Sequence, residues 1–486
     1  MVQSEVSGDI KGRDITVASL NSKQSLADLM RSVPNLIDYF YNDTVSPHSR
    51  TRPGASPVPG EYSNWRNEQR AWRETAVLFD QTHHMPELFL SGKDALRLLS
   101  DFGINSFANF EPGRAKQYVA CNHNGQVIGE SVLHYLRDGT FELISGMHLH
   151  NWLQYNAETS GYDVSIFREG PTSAETPTRV NFRFGMDGPN AEKVFKEVVE
   201  GEVPDIPFFR TAQVKIAGCD VLALRHGMAG HKGVEMSGRV EHGAVVREAL
   251  LQAGKKHGLT PGGRLAYFST LTESGWMGYP LPAVYTDEKL KTYREWLPAD
   301  QWEGKAQLAG SFRSTNIEDY YVTPWHIGVD RMMKFDHDFV GRTALEQMAT
   351  RPVRRKVTLV WNNEDVARIQ ASMFEPGVPF RYLESPVASY GFPQADAVHD
   401  TNGKLVGISS FCGYSINERA TLSLATLDED QTTPGTQLLV TWGEPDGGSR
   451  KAHVEHHRQT QVRVTVAPAP YAAAVKKLKH ETLSKV

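Results

Sequence analysis

The sequence predicts a soluble, multidomain α+β chain closed by a small β barrel, and three observations carry that expectation. A length of 486 residues calls for about two to four domains at roughly 100 to 200 residues each. Hydrophobic residues make up 40%, aromatic residues 10% and charged residues 22% of the chain, a composition that buries a sizeable core and excludes disorder over most of its length. The apolar pattern also changes along the chain, from mixed helical and alternating stretches to a last section of strands and Gly or Pro turns.

Residues 1–60 read as one docked helix, from the helical spacing of SLADLMRSVPNLIDYFYN, followed by an irregular arm ending in Pro53, Gly54, Pro57, Pro59 and Gly60. Residues 61–175 form a first α+β unit. Trp65 to Phe79 starts helical, Leu88 to Leu90 alternates, and Lys93 to Leu99 is helical again. Gln117 to Tyr135 and Phe141 to Ser145 alternate around Asn124-Gly125 and Asp138-Gly139, the short-range signal of antiparallel hairpins. After the linker-like EGPTSAETPTR, residues 176–350 form a second α+β unit. There VNFRFGMDGPNAEKVFKEVVE and VKIAGCDVLALRHG repeat strands and a helix, and EHGAVVREALLQAGKKHGL is an amphipathic helix. Residues 351–470, from RRKVTLVW through LVGISSFCGYSI and TQLLVTWG, predict the barrel, with almost no helical spacing before residue 471. The tail, 471–486, reads as a solvated basic helix.

Fifty-two Lys and Arg against 57 Asp and Glu leave a net charge of −5, interspersed, so no nucleic-acid or membrane partner is expected. Cys121, Cys219 and Cys412 are odd in number and far apart, which excludes a disulfide framework and a cysteine-built zinc site. The start lacks an apolar signal core and no stretch approaches the ~20 apolar residues of a membrane span; the expected location is cytoplasmic. GxxxxGK[ST], GxGxxG after a strand, GxSxG and HExxH are all missing from the sequence, which removes the signatures of the common phosphate, dinucleotide, serine-hydrolase and zincin sites. Adjacent His83 and His84 project in different directions on any backbone, and Asp336-His337-Asp338 reads as a charged turn, so no metal is expected. The Gly-rich run Gly227 to Gly233 before Val234-Glu235-Met236 permits close backbone approach of a ligand or a plain turn between strands.

Five blocks in order, WRETAVLFDQTHHMPELFLSGKDALRLL, EPGRAKQYVACNHNGQVIGESVLHYL, RHGMAGHKGVEMSG, MKFDHDFVGRTALE and GISSFCGYSINERATLSLATL, resemble the folate-dependent aminomethyltransferase superfamily founded on the T-protein of the glycine cleavage system. Within it, YSNWRNEQRAWRETAVLFDQTHHM, SGKDALRLLSD, LTESGW, KLKTYREWLPA, NIEDYYVTPW and KFDHDFVGR resemble the tetrahydrofolate-dependent aryl O-demethylases of vanillate, 3-O-methylgallate and syringate, over about residues 60–470. The resemblance implies a three-domain cloverleaf around a central folate channel, tetrahydrofolate as cofactor and a methoxylated aromatic acid as substrate.

Breaking an aryl methyl ether expels a phenoxide whose conjugate acid has a pKa near ~10, so a positioned acid of matched pKa assists, typically by ~10² to 10⁴-fold. The resemblance gives that role to Tyr267. It makes Glu235 the carboxylate that receives the pterin's N–H groups, with Trp276 beside the cofactor, Tyr118 lining the channel and Arg264 meeting the anionic tail. Gln81 and His84 become donors to the substrate's phenolic oxygens, with His83 as the alternate.

Four departures refine the expectation. Where glycine-cleavage T-proteins carry an Asp-Asp pair this chain has Gly129-Glu130, and no cysteine sits in the Lys-Gly-Cys-Tyr stretch of the Fe–S-assembly branch. The arginine that clamps the substrate carboxylate in vanillate-type enzymes falls on Gly146, and an arm tyrosine falls near Ala55. Losing two large side chains makes room for a second methoxy group, at ~1 to 3 kcal/mol of selectivity per methylene-sized volume, so syringate is the first expected substrate and vanillate or 3-O-methylgallate the second. The carboxylate still needs a partner, and His148 and His150 are the nearest candidates. Competing expectations are transfer from a non-aromatic donor, of dimethylglycine or sulfonium type, and a folate-binding protein without turnover.

Overall fold

The computed structural model describes residues 24–44, 57–173, 178–227, 229, 233–473 and 475. The arm residues 45–56, including Ala55, most of the Gly-rich run (Met228, Gly230, His231 and Lys232) and the tail beyond 475 lie outside these. No helix among the described residues is long and apolar enough to cross a membrane.

The single N-terminal helix expected from the spacing is two helices, α1 (Leu26–Ser32) and α2 (Leu36–Asn42). Val33 ends the first in an extended conformation because it precedes Pro34, which disfavours the helical region for the residue before it. Ser25 and Asp28 close a capping box at the start of α1 and Asn35 caps α2. The pair docks through the Tyr41 hydroxyl, which donates to the Phe312 carbonyl at 2.8 Å.

Next come α3 (Trp65–Glu74) and β1 (Ala76–Asp80), then a first lobe of β2 (Glu87–Ser91), α4 (Ala95–Phe102), β3 (Ala115–Cys121), β4 (Val127–Tyr135), β5 (Phe141–Ile144), α5 (Met147–Thr159) and β6 (Ser165–Glu169). Its five strands are ordered β3-β4-β5-β2-β6 and pair antiparallel, as the hairpin signals predict. The second lobe has β7 (Asn181–Asp187), α6 (Ala191–Val198), β8 (Thr211–Ile216), β9 (Cys219–Leu224), β10 (Val234–Arg239), α7 (Gly243–Gly254), β11 (Leu259–Gly262) and α8 (Arg264–Ser274). Here β1 is the crossing strand. Although it belongs to the first lobe by sequence, it lies in the second sheet, β11-β1-β7-β10-β9-β8, parallel to β11 and antiparallel to β7.

The last region is a closed six-stranded barrel of β12 (Arg355–Trp361), β13 (Asp396–His399), β14 (Leu405–Ser415), β15 (Ala420–Leu427), β16 (Gln437–Trp442) and β17 (Thr460–Ala467), in the order β12-β15-β14-β13-β16-β17. Closure removes the open strand edges. Its interior is filled by side chains such as Val357, Leu359, Val440 and Val462 around the edge-on pair Trp361 and Trp442, 5.4 Å apart. Contrary to the strand-only expectation, the barrel region also carries a helix, α9 (Asn363–Ala371), capped by Asn362. Its apolar spacing is faint because only Asp365 and Ile369 are buried along it.

One buried carboxylate joins these parts. Glu273 of α8 accepts hydrogen bonds from Trp72 and Arg73 of α3, Ser415 of β14 and Asn417, at 2.6–3.0 Å. Glu68 of α3 receives the Gly263 N–H at 2.9 Å, where α8 begins. With partners on both oxygens of each, these groups avoid the cost of an unpaired buried charge, and they fix α8 between the second sheet and the barrel.

Candidate active site

The geometry follows from strand parity. Along β7, Phe182, Phe184 and Met186 pack with Val194, Phe195, Val246 and Leu250 of α6 and α7, so Arg183, Gly185 and Asp187 occupy the opposite face. Phe79 of β1, Gly185 and Glu235 of β10 form one cross-strand row on that face. In the first lobe, Leu88, Leu90, Leu133 and Leu143 pack on the α4 and α5 side chains. This puts Glu87, Glu142, His134, Glu130 and Gln117 on the face away from the helices.

The two polar faces meet. The Arg183 guanidinium crosses from the second sheet to donate to Glu87 at 2.9 Å and Glu142 at 2.8 Å, and His134 stands 3.1 Å from Glu142. Burial pushes the Glu87 carboxyl up to about 7 against the pull of Arg183. Glu142 ends below the ordinary range, because Arg183 and His134 together outweigh its burial.

Tyr267 enters this space from α8. Its ring meets Phe79 edge-on at 5.2 Å and His84 at 4.7 Å, and its hydroxyl accepts from Gln81 Nε2 at 3.5 Å. Burial, then the nearby Tyr279 phenol and Glu235, hold that hydroxyl well above the ordinary tyrosine value, so it is a proton donor throughout the physiological range. Glu235 is buried on β10. Its Oε1 lies 2.7 Å from His226 Nδ1. Burial raises Glu235, but His226, then Arg183 and His134, outweigh it and keep the carboxyl ionised below its usual range. In return Glu235 overcomes the effect of burial on His226 and raises it.

A second cluster adjoins the first. Glu130 accepts from the Trp276 indole and the Gln117 amide, and burial lifts its carboxyl above the ordinary value against both. The Trp276 ring lies 6.1 Å from Tyr279, which hydrogen-bonds with the Ser145 side chain. Both partners hold positive φ angles, 57° and 70°, a conformation that non-glycine residues keep only where the surroundings impose it.

The structure thus brings together Gln81, His84, Tyr267 and Glu235, with Trp276 alongside. The other sequence-derived candidates stand elsewhere. His83 turns away, its Nδ1 3.0 Å from Thr172 Oγ1. Arg264 is exposed on the first turn of α8. Tyr118 faces the helix side of β3, buried against Gly103 and Phe107, while its neighbour Gln117 takes the cleft side. His148 and His150 lie on the helix-covered side too, His148 against Gly129 and Trp302. Burial pushes His148 down to about 4, and burial followed by Arg168 and His148 pushes His150 well below its ordinary value, so neither carries a charge near neutral pH. Gly146 sits at φ 76° and a Cβ there would stand 2.3 Å from the Glu130 carbonyl, so this backbone admits no arginine at that position. Sequence reasoning missed Arg183, His226, Glu130 and Tyr279. The available signal was charge inside apolar strands, as in NFRFGMD, ELFLS and FELI.

Residues 54–282 match the family model described as the GCVT N-terminal domain. The chain is 42% identical over 93% of its length, and 97% of the relative's, to a syringate O-demethylase of Sphingobium sp. strain SYK-6. It is 30% identical to a sesamin methylene transferase of Sinomonas sp. strain No.22, covering 85% of this chain and 90% of that one. The glycine cleavage system aminomethyltransferase T of Bartonella henselae superimposes with a TM-score of 0.59 at 15% identity, over 87% of this chain and 94% of that one, a likeness of fold. The chain belongs to the aminomethyltransferase family of glycine-cleavage T-proteins, in the branch that holds the syringate O-demethylase.

Proposed function

We propose that this protein is a tetrahydrofolate-dependent O-demethylase that moves the methyl of a methoxylated aromatic acid, syringate first and then vanillate or 3-O-methylgallate, to N5 of the folate. The products are the phenol and 5-methyltetrahydrofolate. The observation that carries the reading is the meeting of Tyr267, Gln81 and His84 with the ionised, buried Glu235 between the polar faces of two sheets. The relative at 42% identity favours an aromatic donor over a dimethylglycine or sulfonium compound. Three scattered, unpaired cysteines fit a cytoplasmic setting.

The donor set fits a reduced pterin. Glu235 is a buried carboxylate kept ionised by His226, the type of group that receives two N–H bonds from a pterin edge. Trp276 offers an apolar wall beside it. Tetrahydrofolate supplies the nucleophilic amine that takes the methyl.

The chain's own residues do the rest. His226 orients and charges Glu235, and Glu235 fixes the register of the ring it binds. Tyr267 keeps its proton through neutral pH and meets the aryl ether oxygen as negative charge develops there. Gln81, already bonded to the Tyr267 hydroxyl, and His84, packed on its ring, orient that hydroxyl and the neighbouring phenolic oxygen. Burial of the site strengthens each of these interactions.

Incubation of the protein with syringate and tetrahydrofolate, with both products followed by chromatography, tests the reading. Equimolar 3-O-demethylated phenol and 5-methyltetrahydrofolate are expected; folate binding with no methyl transfer from any of the three aromatic acids rejects it.

A further inference from the structure

A benzoate carrying its methoxy group to Tyr267 brings its carboxylate to the other side of the ring, and an unpaired buried anion is costly. The two histidines nearest in sequence to the missing arginine are neutral and lie behind the first sheet, so the partner must come from another element. One guanidinium enters from the connector between β6 and β7. Arg179 is buried, its Nη2 donates to the Met85 carbonyl at 2.8 Å, and its Nε lies 2.8 Å from Glu169 Oε2. Met85 directly follows His84, the residue whose ring packs on Tyr267. Glu87, on the cleft side of β2, stands 3.9 Å from Nη2. The Nη1 group of Arg179 has no hydrogen-bond partner among the described residues. A guanidinium carries five N–H donors in a fork that matches a carboxylate, and a buried donor left unmatched calls for a ligand or water.

We propose that Arg179 receives the carboxylate of the aromatic acid through its Nη1 edge, and so takes the part that no side chain at position 146 can play. This assignment rests on the aromatic-acid reading given above. It places the anion at the end of the cleft beyond His84, while Tyr267 holds the opposite, methoxy-bearing side. It makes Arg179 a determinant of specificity, selecting acids over neutral methoxyphenols.

The charge balance sets a condition on this: two guanidinium groups already face three carboxylates, so a further anion requires one carboxyl to take up a proton. The groups around Glu87 are Arg183 and Asn181 of β7, Arg179 of the connector, Glu169 of β6, which lies directly across the strand pair and also meets Arg179, and Glu142 of β5, itself beside His134. With its carboxyl near about 7, Glu87 is the group that can take up a proton when a further anion arrives. Protonated Glu87 and bound carboxylate favour each other, so acid binding tightens as pH falls through that value, and binding of an uncharged ring does not follow the same curve.

The test compares syringate with 2,6-dimethoxyphenol, the same ring without the carboxylate, on wild type, Arg179→Gln and Arg179→Lys. Binding to the folate-free protein is read by tryptophan fluorescence, and turnover is read with tetrahydrofolate present. The expected result is a wild-type preference for syringate that strengthens from pH 8 to pH 6. Arg179→Gln lowers that preference by about 10- to 100-fold in both Kd and kcat/KM, and Arg179→Lys restores part of it, in keeping with a charged hydrogen-bonded pair. A wild type that binds both ligands equally, or an Arg179→Gln in which both ligands weaken by the same factor, overturns the assignment, the second result marking Arg179 as a mere brace for the 83–85 loop. If wild type demethylates neither compound, the proposed reaction fails while the folate-free binding ratio still decides the role of Arg179. If the glutamine variant does not fold, the lysine variant and the wild-type pH series decide it.

Discussion

The two faces of the first sheet both bury polar groups, yet they do so in opposite ways. On the helix side, Glu303 accepts from Asn151 at 2.9 Å and Tyr293 at 2.9 Å, while Arg168 donates to Asn151 and Gln154 at 2.8 Å each. That network closes on itself between α5 and the segments that cover it. On the cleft side, Arg183 is shared between two carboxylates of the facing sheet, Glu235 is held ionised by His226, and Glu87 is lifted toward neutrality. A network completed within one lobe specifies packing; one whose charges are shared between two facing sheets, beside a phenol and a histidine, has the character of a site that handles ligands. The difference teaches that burial and polarity do not by themselves identify function. What matters is whether the charged groups are shared between two facing sheets.

That contrast breaks most sharply at Tyr267. Tyr267→Phe keeps the ring contacts with Phe79 and His84 and removes only the hydroxyl, so kcat for syringate is expected to fall by ~10² to 10⁴-fold with KM changing little, as steady-state kinetics would record. Full activity in this variant rejects acid assistance by the hydroxyl and leaves the folate assignment standing.

A smaller effect is expected at the folate carboxylate. Glu235→Gln keeps the shape but loses the charge, and its Kd for tetrahydrofolate is expected to rise by about 10- to 100-fold, measured by calorimetry. The sign of the wild-type pH dependence follows from the lowered carboxyl. Ionised Glu235 is present above its depressed value, so its contribution to binding and to stability is retained down through the ordinary carboxylate range and lost only as pH falls through the folded-state value. A wild-type affinity that already declines around the ordinary glutamate value contradicts the role of His226.

The least kinetic change is expected on the helix side. Glu303→Gln weakens its bonds to Asn151 and Tyr293 and should lower stability by about 1 to 3 kcal/mol, seen in Tm. His148→Gln should leave the KM for syringate within about twofold, since surroundings distant from the ligand rarely alter binding. A tenfold rise in that KM would move the substrate to the other face of the sheet and dissolve the contrast.

Much of the fold was legible. Asn124-Gly125 and Asp138-Gly139 mark the hairpins of the first sheet, alternation marks β7, and the strand-rich last third marks the barrel. The failures have physical causes. Pro34 splits what spacing joins, and α9 buries too few residues to leave a period. In the site, Gln81, His84, Tyr267 and Glu235 lie near one another, whereas Tyr118 and His148 face the helix side of the first sheet. Tyr118 is one position from Gln117, and in a strand one position changes the face.

The sequence by itself determined most of the elements, the barrel and part of the chemistry on offer: a phenol for an ether oxygen and a carboxylate for a pterin edge. Only the tertiary structure decided which of those groups share a space. Arg183, Glu87 and Glu142 are separated by 41 and 96 positions along the chain, and β1 leaves its own lobe to pair in the other sheet. Local propensity acts over a few residues, whereas the field that keeps Glu235 charged and lifts Glu87 comes from neighbours that exist only once two sheets have closed on each other and excluded water.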